Sequence, residues 1–159
     1  MNKKAQRRRF LQRAMALPAM VLPAFALTSA RAAGPIARQA QVSDALVAAF
    51  GPNPAPQKGR VTVAVPAVSE NGYSVPLSVS VESPMTDQDH VRRVVVIAEA
   101  NPLALVADVG FSPKSGLASF GTRIRLADSQ RIYAVAEMSD GSLWSGYGYS
   151  VVTLAACVL

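Results

Sequence analysis

The sequence predicts an all-β fold, an antiparallel β-sandwich of about seven strands preceded by a short N-terminal helix. Three observations predict it. From Arg60 onward the apolar residues recur with a period of two; turn-forming clusters interrupt them every 8 to 14 residues or so; and no long stretch of helical periodicity lies between the strands. The 159 residues suffice for one domain with its own core. Half of them are apolar and 16% are charged, a balance that suits a packed protein better than a disordered one.

The strand region is preceded by two segments. Residues 1–32 read as an export signal: a basic start, the apolar run Ala14 to Leu27, then small residues at Ala30 and Ala32 in an A-x-A arrangement that predicts cleavage after Ala32. The run is shorter than the roughly 20 residues that cross a bilayer and carries Pro18 and Pro23, so no membrane anchor is expected in the mature form. Within the start, "QRRRFLQ" has the layout of a twin-arginine signal, with Arg7 and Arg8 as the pair, which implies export of an already folded chain to the periplasm. This segment holds seven of the sixteen basic residues and no acid. The remaining nine basic residues face all ten acids, for a net charge of −1, so the sequence pI near 10.0 gives no ground to expect nucleic acid as a partner.

Residues 33–59 read as a leader, extended over 33–40 and then helical. Val42, Ala45, Leu46, Ala49 and Phe50 in "QVSDALVAAF" have helical spacing, with Ser43 or Asp44 as the expected N-cap, and "GPNPAP" ends the helix. The sandwich is expected over 60–154. Val61 to Val65 opens it, and "YSVPLSVSVE" alternates strictly, with Pro76 demanding an edge or a bulge because it has no amide to donate. "VRRVVVIAEA" is apolar without alternation and reads as a central strand. "LALVADVGF", "ASFGTRIRLA" and "RIYAVAEM" are further short strands, and "SDGS" turns the chain into the last one, Leu143 to Leu154. Seven such strands without intervening helices favour a sandwich of immunoglobulin-like type, although the Cys…Trp…Cys spacing of antibody domains is absent.

Few residues offer chemistry. His90, in "TDQDHVRR" with Asp87 and Asp89, has no second His or Cys beside it and reads as a solvated loop residue, so neither a metal nor a cofactor is expected. No spacing of Ser, His and Asp and no phosphate-binding glycine loop is present. Arg123 and Arg125 should share a strand face, as should Tyr147, Tyr149 and Val151, the latter group being core or interface. The informative residue is Cys157, the single cysteine. It has no internal disulfide partner and follows the last strand, where a thiol can reach into another protein if the tail is not pinned to the domain.

From about Val61 onward the chain resembles the SoxY family, the sulfur-carrying subunits of the periplasmic thiosulfate-oxidation (Sox) system. The stretches that carry the resemblance are "VPAVSENGYSVPLSVSVESPM", "EANPLALVADVGFSP", "FGTRIRLADSQRIYAVAEMSDGSLW" and "VTLAAC". The resemblance implies that Cys157 is the covalent attachment point for sulfur and that the chain carries substrate without catalysing a reaction. It also implies a heterodimer with a SoxZ-like subunit, a c-type cytochrome complex that joins thiosulfate to the thiol as cysteine S-thiosulfonate, and a hydrolase that releases sulfate. The family's tail is Gly-Gly-Cys-Gly-Gly. Here residues 155–159 have Ala155 and Ala156 before the cysteine and Val158 and Leu159 after it, which predicts a stiffer, wider tail. Two other readings stay open: a partner-binding sandwich that has lost carriage, and an exported thiol peroxidase, for which no resolving cysteine is visible.

Overall fold

The computed structural model describes residues 34–156. The export signal with Arg7, Arg8, Ala30 and Ala32, and the last three residues, Cys157, Val158 and Leu159, lie outside the described residues.

Helix α1 (Pro35–Phe50) begins with proline just after Gly34, a residue whose fixed φ suits the first helical turn, and ends at Gly51, whose φ of 84° lets its amide close back on the carbonyl of Val47. The expected extended leader over 33–40 is therefore helical from Pro35. Ser43 is an interior residue whose hydroxyl bonds back to the carbonyl of Gln39, and neither it nor Asp44 caps the helix. The upstream turns are held by a contact invisible in local sequence: Arg38 pairs with Asp128 at 2.7 Å and donates to the carbonyl of Ser129.

Nine strands follow among the described residues: β1 (Gln57–Lys58), β2 (Val61–Ala64), β3 (Val68–Ser69), β4 (Val75–Val81), β5 (Val91–Ala98), β6 (Leu105–Gly110), β7 (Ser119–Ile124), β8 (Gln130–Met138) and β9 (Leu143–Val152). They form two sheets, one in the order β1-β9-β8-β5-β6 with β3 also on β9, the other in the order β2-β4-β7. The immunoglobulin-like sandwich is thus the observed architecture. The two-residue strands β1 and β3 are additions to the seven expected, and both pair parallel with β9.

The core lies between the sheets. Val75, Leu77, Val79 and Val81 of β4 point into it, facing Val94, Val96 and Ala98 of β5 and Ile132, Ala134 and Ala136 of β8. On the opposite face of β5, Val95 and Ile97 pack under Val42 and Ala45 of α1. From Val94 to Ala98 the strand is covered on both faces and leaves no position for a polar side chain, which explains the unbroken apolar run there. Arg93 adds a clamp, its guanidinium 4.8 Å from the Phe50 ring and bonded to Glu137 at 2.9 Å and to the carbonyl of Ala49.

Pro76 lies in a central strand, yet the edge condition is met locally. Along β4 the amide of Val81 points to the β7 side and that of Glu82 to the β2 side, so alternation aims the nitrogen of residue 76 toward β2. That strand ends at Ala64, opposite Ser78. No residue of β2 pairs with position 76.

Candidate functional site

The site is built at the end of the sandwich where β9 delivers the chain to Cys157. The last strand stops at Val152, and the backbone beyond it stays attached to the domain. The amide of Gly72 donates to the carbonyl of Leu154 at 2.8 Å, the amide of Leu126 donates to the carbonyl of Gly72 at 2.8 Å, and the amide of Ala156 donates to the carbonyl of Leu126 at 3.0 Å. Ala155 is exposed, whereas Ala156 is only 5% exposed. The sandwich therefore holds the chain through Ala156, one residue short of the cysteine.

Each partner in this junction is itself positioned. Gly72 sits in a turn in which the Asn71 side chain accepts from the amide of Tyr73. No other residue fits there, because a Cβ would stand 2.4 Å from the carbonyl oxygen of Leu126 and 2.9 Å from the amide nitrogen of Ala156. Leu126 is bracketed by the buried side chain of Asn101, which donates to the carbonyl of Arg125 at 2.8 Å and accepts from the amide of Ala127 at 3.0 Å. Gln130, also fully buried, donates to the same Asn101 oxygen and accepts from the amide of Ala100. Replacing Asn101 by Ala strips partners from backbone groups shut away from water. We expect this to cost about 2 kcal/mol, read as a lower urea midpoint with an unchanged slope.

Arg123 is used locally: its guanidinium donates to the hydroxyl of Ser74 at 2.6 Å and to its carbonyl at 2.9 Å, steadying the turn after Gly72. Arg125 lies just beyond β7 and is exposed. Tyr147, Tyr149 and Val151 are all exposed and so are not core residues; with Val68, paired beside Val151 on β3, they line the outer face of β9 beside the part of the sheet that α1 covers. Near the start of β9 a groove of about 550 Å³ is lined by Lys58, Arg131, Tyr133 and Tyr147.

Two of these lining residues are bonded to Glu99, which is buried and accepts from the amide of Arg131 at 3.1 Å and from the hydroxyl of Tyr133 at 3.3 Å. Burial and then the Glu99 carboxylate push the Tyr133 phenol above its ordinary value of 10.0. The folded state thus holds this proton more tightly than the unfolded chain, and its contribution to stability is present below pH 10 and lost as pH rises through the folded value. Tyr133→Phe is expected to flatten that alkaline loss in pH-dependent unfolding. His90 lies in its loop with Nδ1 3.0 Å from the carbonyl oxygen of Thr86, and no group of three His, Cys, Asp or Glu converges among the described residues. Nor is any helix among them long and apolar enough to cross a membrane.

Comparison with known proteins singles out one family. The model of the family described as sulfur oxidation protein SoxY matches residues 46–157, so its match runs from α1 through both sheets and the Ala156 junction to Cys157. Among solved structures, the sulfur carrier protein SoxY from Chlorobium limicola f thiosulfatophilum superposes with a TM-score of 0.61 at 24% identity, covering 73% of this chain and 99% of that one. A superoxide reductase (neelaredoxin) from Ignicoccus hospitalis superposes with a TM-score of 0.51 at 18% identity, covering 59% of this chain and 80% of that one. These likenesses show a shared sandwich. No curated protein matches the sequence.

Proposed function

The chain belongs to the SoxY family of sulfur oxidation proteins, and from that premise we propose that it is a periplasmic sulfur carrier whose Cys157 covalently holds thiosulfate-derived sulfur. The observation that carries the reading is the family match itself, which runs through a single-domain sandwich and includes the only thiol in the sequence.

In the proposed loading step the Cys157 sulfur forms an S–S bond to the terminal sulfur of thiosulfate. The thiol proton is released, and two electrons pass to a c-type cytochrome complex. Hydrolysis then breaks the bond between that sulfur and the sulfonate: water supplies the oxygen of the departing sulfate, and a persulfide remains on Cys157. The partners proposed are that cytochrome, a hydrolase and a SoxZ-like subunit in a heterodimer. The outer face of β9, with Tyr147, Tyr149 and Val151, is a suitable seat for the last of these, being apolar, aromatic and uncovered by α1. Tyr149→Asp is expected to weaken that pairing about a hundredfold, as loss of an aromatic anchor does, measured by titration calorimetry.

The reading is tested by intact-protein mass spectrometry, under non-reducing conditions, of the mature chain from cells oxidising thiosulfate. Reducible adducts mapped to Cys157 support it. A bare thiol in those cells overturns it in favour of a partner-binding sandwich that has lost carriage, a second reading to which the attachment of Ala156 lends weight.

A further inference from the structure

The junction before the cysteine holds more than a chain end requires. Three backbone hydrogen bonds tie Gly72, Leu126, Leu154 and Ala156 together, and the neighbours of Leu126 on either side, Arg125 and Ala127, are bonded by the buried side chain of Asn101, which Gln130 holds in turn. Buried polar groups are expensive unless fully paired, and a paired set specifies one geometry. Here that geometry places one backbone oxygen, on Leu126, against one amide, on Ala156. Gly72 makes the approach possible, since any larger residue would collide with both groups.

We propose that Gly72, Asn101 and Leu126 form a clasp that fixes the tail at Ala156, so that the root from which Cys157 is presented is held against the domain. Gly72 and Asn101 are then positioning residues for carriage, a role that rests on the carrier reading above. Consecutive Cα atoms across a trans peptide are about 3.8 Å apart, so the Cα of Cys157 lies within that distance of an anchored residue. An enzyme acting on the sulfur must come up against the sandwich at the exposed side chains of Tyr73 and Leu154, which flank the clasp. A deep, narrow channel would be closed to it unless the clasp opens.

The clasp is tested on the mature chain by two readouts that need no sulfur and no partner. The first is hydrogen exchange at the amide of Ala156. It is expected to be protected about tenfold or more relative to an unstructured peptide, the signature of a formed hydrogen bond. The second is the rate at which Cys157 reacts with a maleimide borne on a gold nanoparticle, divided by its rate with N-ethylmaleimide. Gly72→Ala is expected to remove the protection and raise this ratio about tenfold, as one hydrogen bond of ordinary strength is lost. A run of glycines inserted between Ala156 and Cys157 is expected to raise the ratio similarly while leaving Ala156 protected, and this variant leaves the domain untouched should Gly72→Ala fail to fold. An unprotected Ala156 in the wild-type chain, or a ratio that the glycine insertion does not move, overturns the proposal. A protected Ala156 in a protein whose Cys157 never carries sulfur in cells would leave the clasp standing and remove the carrier reading instead.

Discussion

Cys157→Ser is expected to abolish sulfur loading outright while leaving the fold unchanged. The described part of the domain ends at Ala156, and its two core clusters are built from side chains of α1, the strands and the loops between them. Unfolding midpoints should therefore coincide within about 0.5 kcal/mol, the usual spread for a substitution away from the core. The chemistry, in contrast, depends on a single atom. An alcohol at that position is a far weaker nucleophile than a thiolate and cannot form a disulfide-type bond to sulfur. After incubation with thiosulfate, the oxidising cytochrome and a SoxZ-like subunit, the wild-type chain should gain a reducible adduct and the serine variant none. An adduct on the serine variant would place the attachment elsewhere and end the assignment.

Gly146→Ala should produce the largest loss of stability of any glycine-to-alanine change in the described domain. A Cβ at that position would stand 2.1 Å from the carbonyl oxygen of Val61 and 2.9 Å from its carbonyl carbon, which is backbone and has no rotamer to yield. Gly148, two residues on, would meet a Val65 methyl at 2.9 Å and the carbonyl oxygen of Val63 at 3.1 Å. The two glycines form a smooth strip of β9 on which β2 of the other sheet lies. Forcing the sheets apart there is an overpacking defect of about 3 kcal/mol, which lowers the Tm by about 10 °C for a domain of this size. Gly121→Ala is the control: its Cβ would meet nothing nearer than a Ser78 hydroxyl at 3.8 Å. Equal Tm values for the two variants would refute the packing argument.

The fold was legible because its strands announce themselves locally. In β4 the alternation of Val75, Leu77, Val79 and Val81 with polar partners is the pleat written out, and in β5 the lack of alternation told that both faces are covered. What was not legible depends on contacts far apart in the chain. The strands β1 and β3 are two residues long and exist only because β9 lies beside them. The early start of α1 depends on Asp128, ninety residues downstream of Arg38. In the candidate site the cysteine stood out by being alone, and Gly72, Asn101 and Leu126 belong to the stretches that carry the family resemblance, but nothing in the sequence joins the three to one another or to the tail. Their meeting at Ala156 is a tertiary event with no signature at the level of spacing.

The pairing of β9 with β1 and β3 also sets a timetable. Lys58 pairs with Ser145, and Val68 with Val151, so the first and last parts of the sandwich close on each other. Such long-range closure is slow, and during synthesis it has to wait until β9 has emerged from the ribosome. A nascent or truncated chain without β9 leaves one edge of β8 unpaired and the underside of β2 uncovered. Completeness of the polypeptide is thereby turned into compactness.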